Sequence, residues 1–133
     1  MIVLDEHLDE GIVLVPLSHR LKSRVVSVGE LRPGTVIKDE AIPALLGRYK
    51  NPTFVTGNVT DFWQKFPAHA RYCLICVPVP TQRQGEIPDL LTAFLKHSSF
   101  RTVRQRMGKV IRLNRTEILY YAISQRAITR VAW

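Results

Sequence analysis

The chain has 133 residues, 46% of them hydrophobic, and 19 Lys and Arg against 11 Asp and Glu give it a net charge of +8. That length and apolar content suit a single domain with a sizeable core and exclude a largely disordered chain. The apolar runs GIVLVPL and CLICVPV fall far short of a membrane span, and the opening MIVLDEH carries acids in place of a basic leader, so a soluble, cytoplasmic protein with no membrane partner is expected.

MIVL, ended by Asp5 and Glu6, reads as a first, central strand whose end faces solvent. HLDEGIVLVPLSHRLKS has a β-branched run but also the spacing Ile12, Val15, Leu21, and it is read as a helix interrupted near Pro16. Residues 24–28, RVVSV, form a short strand, and GELRPGTVIKD carries the Pro33-Gly34 signal of a loop. From Asp39 the pattern DEAIPALLGRYK predicts a helix, with Pro43 tolerated in its first turn and acids at its amino end. A strand TFVT, a short amphipathic segment TDFWQKF and a strand YCLICVPV follow. This alternation predicts an α/β domain with a mainly parallel sheet and helices on both faces. EIPDLLTAFLKHS predicts one more helix, and KVIRL and EILYYAI, separated by NRT, predict a C-terminal β-hairpin at one sheet edge.

Cys73 and Cys76 have the spacing of a redox or zinc motif, but on a strand two positions three apart point to opposite faces. They are therefore expected to be buried apolar cysteines, since no second pair completes a zinc site. The charge is unevenly placed: residues 1–80 hold nine Lys and Arg against eight acids (+1), and residues 81–133 hold ten against three (+7). No acid interrupts RTVRQRMGKVIRLNR, so Arg104, Arg106, Lys109 and Arg112 are the expected contacts to a polyanion such as RNA.

Ligands of open α/β sheets gather at the carboxyl ends of the strands. Here those ends carry Asp5 and Glu6, Asn58, and Asp61 within one turn of the next segment, while Asp39 and Glu40 begin the helix between. Converging carboxylates repel one another unless a cation sits among them, and hard oxygen donors suit Mg²⁺ or Mn²⁺. Helix capping alone also accounts for about half of these acids, but Asp5-Glu6 is harder to explain so, since a strand end normally turns with Gly, Asn or Pro and two adjacent carboxylates gain nothing from the turn.

VLDEHL at 3–8, DEAI at 39–42 and FVTGNVTDF at 54–62, in that order, resemble the small bacterial PIN-like domains of the PIN nuclease superfamily. The resemblance covers about residues 1–80 and implies a three-layer α/β/α domain with a divalent-metal site that cleaves RNA, often as the toxin of a toxin–antitoxin pair. It makes Asp5, Asp61 and Glu40 (or its neighbour Asp39) the metal ligands, with Asn58 assisting catalysis. Two departures stand out: Asn58 where the family has Asp, and His7 where it has Asn. The chain is thus read as one PIN-like domain over 1–133, with a motif-bearing core at 1–80 and a basic helix plus hairpin at 81–133. Its expected activity is that of a Mg²⁺- or Mn²⁺-dependent endoribonuclease whose partners are RNA, a small antitoxin protein or further copies of itself. The competing readings are a catalytically weakened PIN-like domain that binds nucleic acid or protein, and a small interaction domain whose basic half docks an acidic protein.

Overall fold

Short runs of apolar and β-branched residues, buried along their whole length, make the centre of the molecule, as a sheet covered on both faces requires. A computed structural model describes residues 1–133. In chain order the elements begin with β1 (Ile2–Leu4), a π-helical turn (Glu10–Leu14) running into α1 (Val15–Arg20), β2 (Val25–Ser27) and α2 (Val28–Leu31). A 3-10 turn (Asp39–Ala41) leads into α3 (Ile42–Leu46), then β3 (Thr53–Thr56), α4 (Val59–Phe62) and β4 (Cys73–Cys76). A second 3-10 segment (Thr81–Glu86) leads into α5 (Ile87–Lys96), then α6 (Val103–Arg106), β5 (Lys109–Leu113), β6 (Glu117–Ala122) and β7 (Gln125–Ala132). The seven strands form one sheet in the order β2-β1-β3-β4-β5-β6-β7, parallel from β2 to β5 and antiparallel across the last two pairings. No helix is long and apolar enough to cross a membrane.

Two cores lie on opposite faces. One gathers Val13 and Leu17 of the first helical segment, Ile87, Leu91 and Phe94 of α5, and Val55, Cys73, Ile75 and Ile111 of the sheet. The other gathers Ile42, Leu45 and Leu46 of α3, Phe62 of α4, and Val3, Phe54, Leu74, Cys76 and Val110. The two cysteines are thus free, fully buried and turned to opposite faces, as strand alternation requires. In α5, Ile87, Leu91 and Phe94 recur at i, i+4 and i+7, and full burial of each such side chain contributes roughly 1.5–3 kcal/mol.

The helix over the ambiguous second segment forms, with Asp9 capping it through the Ile12 N–H at 2.9 Å and Pro16 at the first α-helical positions. The C-terminal hairpin also forms but does not end the sheet. β6 turns at Ile123-Ser124 into an eight-residue β7, with Ser124 at φ 66. That turn contains neither Gly nor Asn, the usual carriers of a left-handed hairpin position, which is why the third strand is not announced locally. The segments 28–31, 81–86 and 103–106, expected as loops or left undescribed, are helical turns.

The crossovers carry a further consequence. The chain steps from β1 to β2 in one direction through the α1 face, and from β2 to β3 and β3 to β4 in the other direction through the α3 and α4 face. These three share one hand. From β4 to β5 it again steps in the second direction, but α5 lies on the α1 face, so this crossover has the opposite hand, against the usual uniformity. The α4 face above β5 is therefore left with only the four-residue α4 and the residues after it.

Candidate functional site at the β1–β3 switch point

β1 lies between β2 and β3, and the connection that leaves β1 runs to β2 on one face while the one that leaves β3 runs to β4 on the other, so the crevice beyond β1 and β3 is the switch point of the sheet. Asp5 follows β1 directly and continues its pairing, its N–H donating to the Val55 carbonyl at 2.9 Å. Its side chain is only 13% exposed and is fully engaged. Oδ1 accepts the Glu6 N–H at 2.8 Å, and Oδ2 accepts the buried Thr56 hydroxyl at 2.7 Å. His7 Nδ1 stands 3.4 Å from the same Oδ2. Burial works against charge on Asp5, but the hydrogen bonds from His7, Thr56 and the Glu6 N–H outweigh it and hold the carboxyl below the usual range.

Thr56 is the joint of this arrangement. Its oxygen also accepts the Asn58 N–H at 3.0 Å, so the last residue of β3 anchors both the acid on β1 and the entry to α4. His7 is the second joint: the Gly57 N–H donates to its Nε2 at 3.1 Å. The neutral ring with its proton on Nδ1 satisfies both neighbours. The hydrogen bond to Asp5 raises the imidazole's pKa, with burial opposing and the charges of Asp5 and Asp39 adding to the rise. Gly57 is required for this approach, because a Cβ there would lie 2.9 Å from Nε2. Gln84, 4% exposed, ties down the same loop from the far side, donating to the His7 carbonyl at 3.0 Å and accepting the Asp9 N–H at 2.8 Å.

The other acids arrive by separate elements. Asp39 and Glu40 lie exposed in the 3-10 turn before α3, and Asp61 lies exposed in α4. The Asp39 carboxyl is raised by burial and then by the negative charges of Asp5, Asp61 and Glu40, with His7 pulling the other way. Asp5, Asp39 and Asp61 thus share one edge of the sheet. They do not form a ready cage, since no three His, Cys, Asp or Glu side chains stand close enough to hold an ion. Asn58 caps α4, accepting the Asp61 N–H at 3.2 Å while its Nδ2 donates to Asp61 Oδ2 at 2.7 Å, so both its amide atoms are already committed. The all-oxygen donors suit Mg²⁺ or Mn²⁺ in kind, and assembling them requires the exposed Asp39 and Asp61 side chains to turn toward Asp5.

The basic segment departs from expectation. Arg106 is 7% exposed and turned inward, Nη1 donating to the carbonyls of Phe100 (2.9 Å) and Arg101 (3.1 Å). Lys109 donates to the Gln105 carbonyl at 2.7 Å and lies 5.4 Å and 5.0 Å from the ring centres of Phe100 and Tyr120. Arg106 ties the segment before α6 to the helix, and Lys109 satisfies the Gln105 carbonyl that the last turn of the short helix leaves free. They also sit at the amino ends of the strands, since the charge of Arg106 acts on the Met1 amine and on Cys73, far from Asp5. Arg104 is exposed at that same end. Of the four expected contacts, only Arg112 lies toward the carboxyl edge.

The residues that position Asp5 were missed in the sequence: Thr56, His7, Gly57 and Gln84. Gly57 directly after a buried strand was the available signal. Comparisons with family models, with curated proteins and with solved structures find no match for this chain.

Proposed function

We propose that the chain is a metal-dependent phosphodiesterase that cleaves RNA, of the PIN-like type its motifs resemble. The observation that carries the reading is the Asp5 carboxylate at the switch point, 13% exposed and bonded to the Thr56 hydroxyl at 2.7 Å, beside an Asp39 carboxyl raised by burial and then by the charges of Asp5, Asp61 and Glu40. Mutual repulsion of this kind is an electrostatic cost for the protein alone and an asset once a divalent cation is bound. Asp5, Asp39 and Asp61 would hold Mg²⁺ or Mn²⁺, with Glu40 in reserve beside Asp39. Such an ion supplies charge stabilisation at a phosphoryl oxygen and a hydroxide equivalent near neutral pH. The chain's own part is preorganisation: Thr56 and His7 keep Asp5 ionised and aimed, and Gln84 holds the loop carrying His7. A toxin role with a small antitoxin partner rests on the resemblance alone.

The test is cleavage of mixed RNA by the purified chain in Mn²⁺ against chelator, with Asp5→Asn alongside. Cleavage that needs Mn²⁺ and is lost in the variant is the expected result; cleavage insensitive to chelator or to the variant overturns the reading. A second reading, a binding module that has lost catalysis, is favoured by one feature: Asn58 holds Asp61 in a capping geometry. RNA binding without Mn²⁺-dependent cleavage would select it.

A further inference from the structure

We infer that Arg112 is the phosphate anchor of this site, holding a single-stranded RNA along the carboxyl edge on the α4 face. The inference rests on reading the acidic edge as a nucleic-acid site. Its basis is register. Thr56, bonded to Asp5, pairs with Cys76, and Cys76 pairs with Arg112. Paired residues of adjacent strands point to one face, and Cys76 and Val110 place that face on the α4 side. Asp5, Thr56, Cys76 and Arg112 therefore stand in one row across β1, β3, β4 and β5. Three inter-strand steps separate the ends of the row by roughly 14 Å, too far for Asp5 and Arg112 to pair but within reach of one nucleotide strand.

Arg112 has the features of a group awaiting a ligand. Its side chain makes no ion pair and no hydrogen bond within the chain, whereas four of the thirteen arginines are ion-paired: Arg20 to Asp89, Arg83 and Arg115 to Glu86, and Arg130 to Glu117. Its Nε is buried without a partner, as is that of Arg106, but Arg112 as a whole is half-exposed where Arg106 is buried and bonds through Nη1. Strand pairing sets Arg112 beside Cys76, whose thiol burial pushes up to about 12 against the pull of the Arg112 charge. The reversed β4-to-β5 crossover explains why no long helix covers it.

The surroundings select the path. On the α1 side, an open groove of about 780 Å³ is lined by Glu6, Asp9, Glu10 and Glu30 without a single Lys or Arg, which repels phosphates. On the α4 side, two residues below Arg112 on the same face, Val110 pairs with Tyr121, whose ring lies tilted against that of the half-buried Trp63 with centroids 5.3 Å apart. A cation beside aromatic rings is the usual lining of a single-strand groove.

The test is binding of a fluorescent 12-nucleotide oligouridylate in EDTA, followed by anisotropy across salt, so that no cleavage is required. Arg112→Gln is expected to weaken binding about tenfold, as loss of one charge-assisted phosphate contact does, and to lower the salt slope by about 0.7. Arg112→Lys should keep the slope, and Arg71→Gln, an exposed charge at the opposite end of β4, should match wild type. Arg112→Gln binding like wild type, or Arg71→Gln losing as much, overturns the inference, as does failure of the wild type to bind. Intact binding with no cleavage in Mn²⁺ would overturn the nuclease reading and leave the anchor standing. Circular dichroism melting of each variant separates lost contact from lost fold.

Discussion

Thr56→Val tests the joint at the centre of the site with the least change of shape. Valine fills nearly the same volume at a fully buried position, so the loss is confined to the hydroxyl. Two bonds go with it: the 2.7 Å bond to Asp5 Oδ2 and the 3.0 Å bond from the Asn58 N–H. Loss of a bond to a charged group and of a neutral one sets the expected cost at about 2 kcal/mol near neutral pH. With an unfolding entropy of about 2.1 cal/mol/K per residue, that corresponds to a melting temperature lower by roughly 7 °C. The cost is also pH-dependent, and its sign follows from the Asp5 carboxyl lying below its usual range. A depressed carboxyl contributes stability above its unfolded pKa of about 3.9 and loses it as pH falls through the folded value. Wild type should therefore lose more stability on acidification than Thr56→Val, and the gap should narrow to the part due to the Asn58 N–H, about 1 kcal/mol. Urea unfolding followed by circular dichroism from about pH 7 down to about pH 3 measures both quantities across the Asp range. A gap below about 0.5 kcal/mol at neutral pH, or one of constant size at every pH, would refute the claim that Thr56 holds the ionised Asp5.

Gly57→Ala should push His7 off its seat, because the new Cβ would lie 2.9 Å from Nε2 and the exposed ring is free to move. The His7 titration, followed by NMR, should then fall back toward the ordinary value, and an unchanged titration would show that the ring does not depend on Gly57. Asp39→Asn should leave the metal-free protein as stable or slightly more stable at neutral pH, since the Asp39 carboxyl is raised by its surroundings. The same variant should show a smaller Mn²⁺-induced rise in melting temperature, and an equal rise would remove Asp39 from the donor set.

Much of this molecule was legible in local pattern. Buried parallel strands show as continuous apolar runs, so MIVL, TFVT and CLIC were readable, and period-two alternation alone sent Cys73 and Cys76 to opposite faces. Acids at strand ends and helix starts were equally plain, because nothing apolar competes for those positions. Pattern was silent wherever a side chain's partner is distant in the chain. Thr56 reaches back 51 residues to Asp5, and Gln84 reaches back 77 to His7. The same limit hid the inward turn of Arg106 and the β7 strand, whose turn lacks the residues that usually mark one. A run of basic residues has a net charge in the sequence but acquires a direction only from the elements that carry it. Here α6 spends Arg106 and Lys109 on nearby carbonyls at the amino ends of the strands, and strand register alone brings Arg112 into the row of Asp5.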